Sequence, residues 1–313
     1  MKVSRKRLEK LCKMTQPELK KAVKNELSQY YDDVIESRGF VFAKGEIPIC
    51  LVAHLDTVHD KIPEKIVYDD KGNMSSPQGI GGDDRCGVYA ILELIKKHKC
   101  SVLFCEDEEC GGHGAKAFVK HPVSSDLDFN YMIELDRRGF NDAVFYSCDN
   151  PEFEEFITKS KDWRTSWGSF SDISIVAPEL GCAAVNLSCG YYRAHTKEEY
   201  INLYDLASSI QRVCKLIEKT TENDKFEYIE ETFASKWDYY YDYGMSSKSS
   251  TTAYEGDGLY GVFYVDQYGA EEATEVYAGS MYEAIGIFLT ENPELCYNDV
   301  EDVLYFGEDV YAM

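Results

Sequence analysis

Three short apolar runs, Ile49–Ala53, Val102–Cys105 and Met132–Leu135, lack the strict apolar–polar alternation of a strand with one wet face. Strands written this way are buried on both faces, and a sheet reaches that state when helices cover each side. Amphipathic segments stand between the runs: a helix from about Cys86 to Lys97, another around Gly114–Lys120, and a long one from about Leu203 to Glu218. Further apolar runs lie at Phe40–Ala43, Ala143–Cys148, Ile173–Ala177 and Cys182–Leu187, and the first strand begins at Ile47. Residues 1–220 are therefore expected to form one α/β domain, a three-layer α/β/α sandwich around a mixed, mostly parallel sheet. Two helices precede it within residues 1–29. Leu8, Leu11 and Cys12 share one helical face, and Leu19, Val23 and Leu27 share another. Thr15, Pro17 and Glu18 have the spacing of a capping box that opens the second helix.

Beyond residue 220 the composition changes. Fourteen of the 24 tyrosines lie there, and the segment holds 21 Asp/Glu against 3 Lys. Leu259–Val265, an amphipathic stretch at Ser280–Thr290 and Val303–Phe306 predict a small β-α-β unit, so 221–313 reads as an acidic, tyrosine-rich α+β appendage. The Lys248–Thr252 segment is expected to be a loop. The appendage offers a surface for protein contact or self-association, or serves solubility alone. The formal net charge of -23 excludes nucleic acid as the principal ligand, because phosphates would be repelled. Residues 1–24 are the exception, with nine Lys/Arg against two Glu, and are expected to form a solvated face or to dock the acidic end of the chain. No run approaches the roughly 18 apolar residues of a membrane span. The basic N-terminus lacks the apolar core and cleavage site of a secretory signal. The 11 scattered cysteines lack metal-type pair spacing and are expected to be reduced thiols, which points to the cytoplasm.

In a sheet of this class, ligands gather beyond the carboxyl ends of the strands. The residues there are His54-Leu55-Asp56 after the first buried run and Gly81-Gly82-Asp83-Asp84 before the Cys86 helix. After the second run come Glu106-Asp107-Glu108-Glu109 and Gly111-Gly112-His113-Gly114; Asp136 follows the third run, and His195 follows Cys182–Leu187 beyond a short loop. So many carboxylates on one edge repel each other unless cations compensate them. Mixed His and carboxylate donors suit zinc, cobalt or manganese, and a pair of such ions can share a hydroxide that attacks a polarised carbonyl. A free carboxylate must then shuttle the proton, and adjacent Glu108 and Glu109 can divide the work of base and ligand.

The order His54-x-Asp56, Gly82-Asp83-Asp84-Arg85, Asp107-Glu108-Glu109-x-Gly-Gly-x-Gly, Asp136, then His195-Thr196-x-Glu198-Glu199 resembles the co-catalytic zinc peptidase and deacylase superfamily over roughly residues 45–205. Peptidase T, carnosinase-type dipeptidases, acetylornithine deacetylase and the di-zinc aminopeptidases belong to it. The resemblance implies a zinc-exopeptidase-like fold and two divalent metal ions, zinc with cobalt or manganese as substitutes. It implies Asp83 as the bridging carboxylate, His54 and Asp136 on one metal, and Glu109 and His195 on the other. Glu108 becomes the general base, and Asp56 the residue that fixes the His54 tautomer. Alignment of the Asp-x-Lys/Arg-x-Gly pattern selects Asp83 over Asp84. The stretches from His54 to Asp83 and from Asp136 to His195 are too short for the domains that other branches insert there, so a lid-less form is expected.

The function implied is amide cleavage in a small peptide by an aminopeptidase or di/tripeptidase. Deacylation of an N-acyl-amino acid is the alternative within enzymes, and a non-catalytic metal-binding or interaction protein the alternative outside them. His59 and His113 are expected to be surface or supporting residues. Arg137, Arg138 and Arg193 are weaker candidates for a substrate carboxylate, each equally suited to a surface ion pair. Cys86, Cys105 and Cys110 read as packing residues rather than nucleophiles.

Overall fold

The computed structural model of the protein describes residues 2–166, 168, 170–230, 258–265, 271–278, 281–292, 295 and 300–307. The chain divides into two compact units, Met1–Ser166 with Phe170–Glu231, and Trp167–Ser169 with Thr232–Met313. The expected loop at Lys248–Thr252 and the tyrosines near residue 240 lie outside the described residues.

The first unit opens with helices α1 (Arg5–Cys12) and α2 (Gln16–Leu27), and the expected capping box is present at Thr15. Glu18 accepts hydrogen bonds from the Thr15 backbone N–H at 3.0 Å and from its hydroxyl at 2.8 Å. Strands β1 (Ile35–Ser37), β2 (Phe40–Ala43), β3 (Ile47–His54), β4 (Val67–Tyr68) and β5 (Asn73–Ser75) follow, then helix α3 (Gly82–Leu94). Next come β6 (Cys100–Cys105), α4 (His113–Val119), β7 (Tyr131–Arg137), β8 (Asp142–Val144), α5 (Pro151–Thr158) and β9 (Arg164–Ser166). Helix α6 (Asp172–Leu180), β10 (Ala184–Ser188), β11 (Tyr191–Tyr192), β12 (Tyr200–Asn202) and α7 (Leu203–Lys219) complete the unit.

Eight strands form one sheet in the order β1-β2-β6-β3-β7-β10-β8-β9. Its centre, β6-β3-β7-β10, is parallel throughout; β1, β2 and β8 pair antiparallel to their inner neighbours. The register sets Val102, Leu51, Ile133 and Val185 side by side across the four parallel strands. All four are fully buried, and each contributes roughly 1.5–3 kcal/mol by leaving water. Two separate apolar clusters lie on the two faces of the sheet. Leu51 and Ile133 belong to one, with residues of α1, α2, α3 and α7; Val52 and Met132 belong to the other, with residues of α4 and α6. The three-layer α/β/α sandwich is thus the observed architecture.

Some elements differ from expectation. The Ile173–Ala177 run is the core-facing stripe of α6, and the run at Ala143–Cys148 is a short strand that stops at Val144. Cys148 instead makes an isolated bridge to Glu230, and Cys182 one to Glu227, so the chain after α7 runs back along the sheet. The span of α3 opens at Gly82, but Asp83 (φ -80°, ψ 103°) and Asp84 (φ -117°, ψ 46°) are not helical, so the regular helix starts close to the expected Cys86. Helix α5 is capped by the Asn150 side chain, which accepts from Phe153 N–H at 3.0 Å. Basic residues of α1 and α2 pair locally: Arg7 with Glu26 and Glu93, Lys24 with Glu36, and Lys20 with Glu106. Every described cysteine is a free thiol. No helix among the described residues is long and apolar enough to cross a membrane.

In the second unit, β13 (Gly258–Val265) pairs antiparallel with both β14 (Glu271–Ala278) and β15 (Val300–Gly307), and α8 (Met281–Glu291) joins β14 to β15. Tyr260, Val262, Val276, Ala278, Ala284 and Phe288 form its buried core. The order is β-β-α-β rather than the expected β-α-β. Strand β14 escaped the sequence reading because three glutamates among its eight residues leave it without a continuous apolar run.

At one end of the first unit's core, fully buried Phe153 meets Tyr131, Phe145 and Phe226 with ring centroids 5.5, 5.6 and 5.2 Å away. Phe153→Ala should lower stability by about 3–5 kcal/mol in urea unfolding. A loss below about 1 kcal/mol would show that this cluster is not part of the cooperative core.

Candidate metal centre

Strands β3, β6 and β7 end together, with β6 and β7 on opposite sides of β3, so the chain reverses direction across the sheet at this point. Such a reversal opens a crevice beyond the strand ends. His54 is the last residue of β3, and Asp136 the penultimate residue of β7. Glu108 and Glu109 follow β6, and Asp83 and Asp84 begin α3. His195 comes from the loop between β11 and β12. The structure therefore brings together all seven residues singled out in the sequence: Glu108, Asp56, His54, Asp83, Glu109, Asp136 and His195.

Asp83 lies at the middle. Its Oδ1 is 2.9 Å from His54 Nε2, and its Oδ2 is 3.2 Å from His195 Nε2. His54 Nε2 also has Asp136 Oδ1 at 3.5 Å, and His195 Nε2 has Glu109 Oε1 at 3.0 Å. One carboxylate thus faces two imidazoles with different oxygens, and each imidazole faces a second carboxylate. Asp84 is placed differently. Its oxygens accept from the backbone N–H of Gly87 at 2.8 Å and of His54 at 3.3 Å, and it is fully buried. His54, Asp83 and Glu109 have donor atoms within 4.8 Å of one another, as do His54, Asp84 and Asp136.

Asp56 organises both the imidazole and the carboxylate loop. Its Oδ1 accepts from His54 Nδ1 at 3.1 Å, which leaves Nε2 directed at Asp83. The same carboxylate accepts the backbone N–H groups of Glu108 and Glu109 at 3.0 and 3.1 Å. Burial alone would raise its pKa, but the hydrogen bonds and charge of His54 prevail and hold it below the ordinary value. Helix α2 steadies the start of that loop: Lys20 pairs with Glu106, and Gln16 donates to Asp107 at 3.0 Å. Buried Arg85 donates to the carbonyls of Leu55 and Asp56, at 3.0 and 2.8 Å, and ties the start of α3 to β3.

Two glycines permit this packing. A Cβ at Gly87 would collide with the Leu135 carbonyl and the Asp84 carboxylate, so α3 can approach β7 only without a side chain there. A Cβ at Gly114 would strike the backbone of Gly39 and Glu106, where α4 closes over the β6 end.

Among the protein groups alone the electrostatics are strained. Burial, with the Asp83 charge adding to it, pushes Asp136 up to about 8. Burial also raises Glu108 to about 10, against the opposing pull of His54. His195 is raised to about 11: burial opposes its charge, but Asp83 and Glu109 outweigh that. Divalent cations favour ionised carboxylates and neutral imidazoles, and so relieve both strains. One buried atom also calls for such a partner. Glu109 Oε1, although close to His195, accepts no aligned hydrogen bond. The His, Asp and Glu donors, the orphaned oxygen and the shared position of Asp83 fit a divalent metal centre.

Several contributors were not assigned from sequence. Fully buried Glu199 accepts the backbone N–H groups of Gly81 and Asp83 at 2.8 and 2.9 Å, and His59 Nε2 lies 2.7 Å from its carboxylate. The pair braces the turn that presents Asp83. The Tyr191 hydroxyl donates to Asp136 at 3.2 Å, and Asn186 accepts the Asp136 N–H at 2.9 Å. Glu134 and Asp172 add two fully buried carboxyls behind Asp136. The Glu199 position was visible in the Thr-x-Glu-Glu signature, but no local signal linked His59 to it. Among the weaker candidates, Arg137 lies near Ser166 and Asp142, Arg193 and His113 are exposed, and Cys86 and Cys105 are buried in the packing while Cys110 is exposed. Between Asp136 and His195 the described elements are β8, α5, β9, α6, β10 and β11, and no lid domain occurs among the described residues there.

The sequence model of peptidase family M28 matches residues 43–168. No curated protein matches the chain in sequence. Among solved structures, the aminopeptidase PepT of Bacillus cereus ATCC 10987 is 15% identical with a TM-score of 0.57, covering 68% of this chain and 96% of that one. A tripeptidase of Staphylococcus aureus subsp. aureus mu50 is 16% identical with a TM-score of 0.53, covering 67% and 96%. The Pyrococcus horikoshii TET1 peptidase, which can assemble into a tetrahedron or a large octahedral shell, is 15% identical with a TM-score of 0.52, covering 69% and 99%. At these identities the structural likeness establishes the fold.

Glu199 holds the backbone of Asp83, so Glu199→Gln, which turns an acceptor into a donor beside two N–H groups, should weaken metal binding about 10–100-fold. Competition with a chromophoric chelator measures this. Unchanged affinity would remove Glu199 and His59 from the support of the centre.

Proposed function

From the premise that the chain carries a metal-dependent peptidase domain of the co-catalytic zinc superfamily, we propose that it is a two-metal exopeptidase acting on small peptides. The observation that carries this reading is the division of Asp83 between two imidazoles. His54 and Asp136 would hold one ion, Glu109 and His195 the other, and Asp83 would serve both. Zinc suits this donor set, with cobalt or manganese as substitutes. When bound, the ions supply Lewis acidity that polarises the scissile carbonyl and makes water a nucleophile near neutral pH.

The chain's own residues do the rest. Asp56 holds His54 in the tautomer that presents Nε2 to the centre, and it fixes the backbone of Glu108 and Glu109. Glu108 is buried beside the ligands, and bound ions would favour its ionised form, the state able to accept a proton. It would take a proton from the attacking water and deliver it to the leaving amine. Asp84 is occupied by backbone N–H groups, which supports Asp83 as the shared ligand and leaves Asp84 to anchor the start of α3.

Solved neighbours named as an aminopeptidase and a tripeptidase support a peptide with a free amino terminus as substrate. The N-acyl-amino-acid reading belongs to the same centre, and side-by-side assay of aminoacyl and N-acetyl compounds separates them. The expected division near residue 220 moves to about residue 231, because the segment after α7 packs on the first unit, and the acidic appendage beyond it offers a surface for protein contact or self-association. The free thiols of every described cysteine support a cytoplasmic location.

Glu108→Gln keeps shape and hydrogen bonding but cannot accept the proton. It should reduce kcat on a peptide substrate by at least about 100-fold while zinc content stays at the wild-type level. Full turnover in this variant would end the assignment of Glu108 as base, and loss of metal would make it a ligand instead.

A further inference from the structure

Outside the centre, one other group of unlike metal donors converges. His98 stands between α3 and β6, while Cys214 and Glu218 lie one helical turn apart on α7. His98 Nε2 is 3.2 Å from Cys214 Sγ and 3.5 Å from Glu218 Oε1, and Cys214 Sγ is 3.5 Å from that same oxygen. The three donor atoms form a nearly equilateral triangle. A tetrahedral zinc ion has Zn–S near ~2.3 Å and Zn–N and Zn–O near ~2.0–2.2 Å, so the edges of its coordination tetrahedron span about 3.3–3.6 Å. Two edges of the observed triangle, at 3.5 Å, fall within this range, and the third, His98 Nε2 to Cys214 Sγ at 3.2 Å, is slightly shorter.

The backbone supports the arrangement. The i,i+4 spacing on α7 places Cys214 and Glu218 on one face. His98 is tethered by its own N–H to Leu94 at 3.0 Å and by its carbonyl, which accepts from Cys100 N–H at 2.8 Å. The His98 side chain is 14% exposed and that of Glu218 55%, so a hydrated ion can enter and the fourth position faces solvent. Strand β6 begins at Cys100 and ends at Cys105, and the catalytic loop follows its far end. At about 3.3 Å per residue, this group lies roughly 20 Å from the Asp83 centre.

We propose that His98, Cys214 and Glu218 form a separate binding site for a thiophilic divalent cation, zinc above all, that clips α7 to the α3–β6 connection. Thiolate, imidazole and carboxylate together select zinc over magnesium or calcium, which prefer oxygen donors. Binding forms a metal–sulfur bond and releases the Cys214 thiol proton to solvent, so affinity rises with pH. Burial first, and the Glu218 carboxylate after it, raise the Cys214 thiol above its ordinary value, with Lys97 opposing them.

The proposal is independent of the peptidase centre, whose donors are all nitrogen and oxygen, and cobalt separates the two by spectroscopy. Chelator-treated full-length protein is titrated with cobalt(II) and its near-ultraviolet thiolate-to-cobalt charge-transfer band recorded. At saturating cobalt the band should reach the amplitude of one thiolate-bound ion per chain, whatever the oxygen and nitrogen donors of the other centre take up. It should persist in His195→Ala and in Cys110→Ser, and vanish in Cys214→Ser, which should keep wild-type peptidase activity and wild-type circular dichroism. Absence of the band at saturating cobalt, or its survival in Cys214→Ser, overturns the site. Loss of cobalt from the oxygen and nitrogen donors with the band intact would count against the peptidase centre alone.

Discussion

Carboxylates packed against one another in a low-dielectric crevice repel strongly, and that repulsion is the constraint around which the first unit is built. Asp83, Glu109, Asp136 and Glu108 converge at the end of a parallel sheet with two imidazoles between them. Left as charges alone they would oppose folding. Burial accordingly holds the protons of Glu108 and Asp136 far above the ordinary carboxylate range. Divalent cations would convert this liability into a binding site, because the same carboxylates that repel one another would then share a strong positive charge.

Much of the surrounding structure is arranged to hold those groups still. Asp56 joins two chain segments by accepting from the His54 ring and from the β6–α4 loop. Glu199 does the same for the turn before α3, with His59 behind it. Arg85, Lys20 and Gln16 extend the support to α1–α2 and to the ends of β3 and β6. These contacts explain why glycines recur at the edge. At Gly87 and Gly114 helix and strand backbones approach so closely that no side chain fits. A rigid frame lets a binding site keep its geometry while substrate and metals exchange.

The central strands and the candidate site were legible because both obey local rules. Ile49–Ala53 and Val102–Cys105 are apolar on both faces, and the polar residues that follow such strands fall at one sheet edge by topology. The division of Asp83 between His54 and His195 was legible only through resemblance, since nothing local tells Asp83 from Asp84. What was missed depends on tertiary context. His59 is distant in sequence from Glu199, and β14 is interrupted by three glutamates. The Ile173–Ala177 run is too short for periodicity to separate a buried strand from the inner stripe of a helix. The triangle of His98, Cys214 and Glu218 shows no motif spacing, because α7 and the α3–β6 connection meet only in the folded chain.

The central claim is that Asp83 is shared by two metal ions. Anomalous diffraction at the zinc edge from crystals of the zinc-loaded protein tests it directly. Two peaks about 3.5–4 Å apart, one against each Asp83 oxygen, are the predicted result. A single peak in the crevice, or two peaks that leave Asp83 aside and flank Asp84, would contradict it.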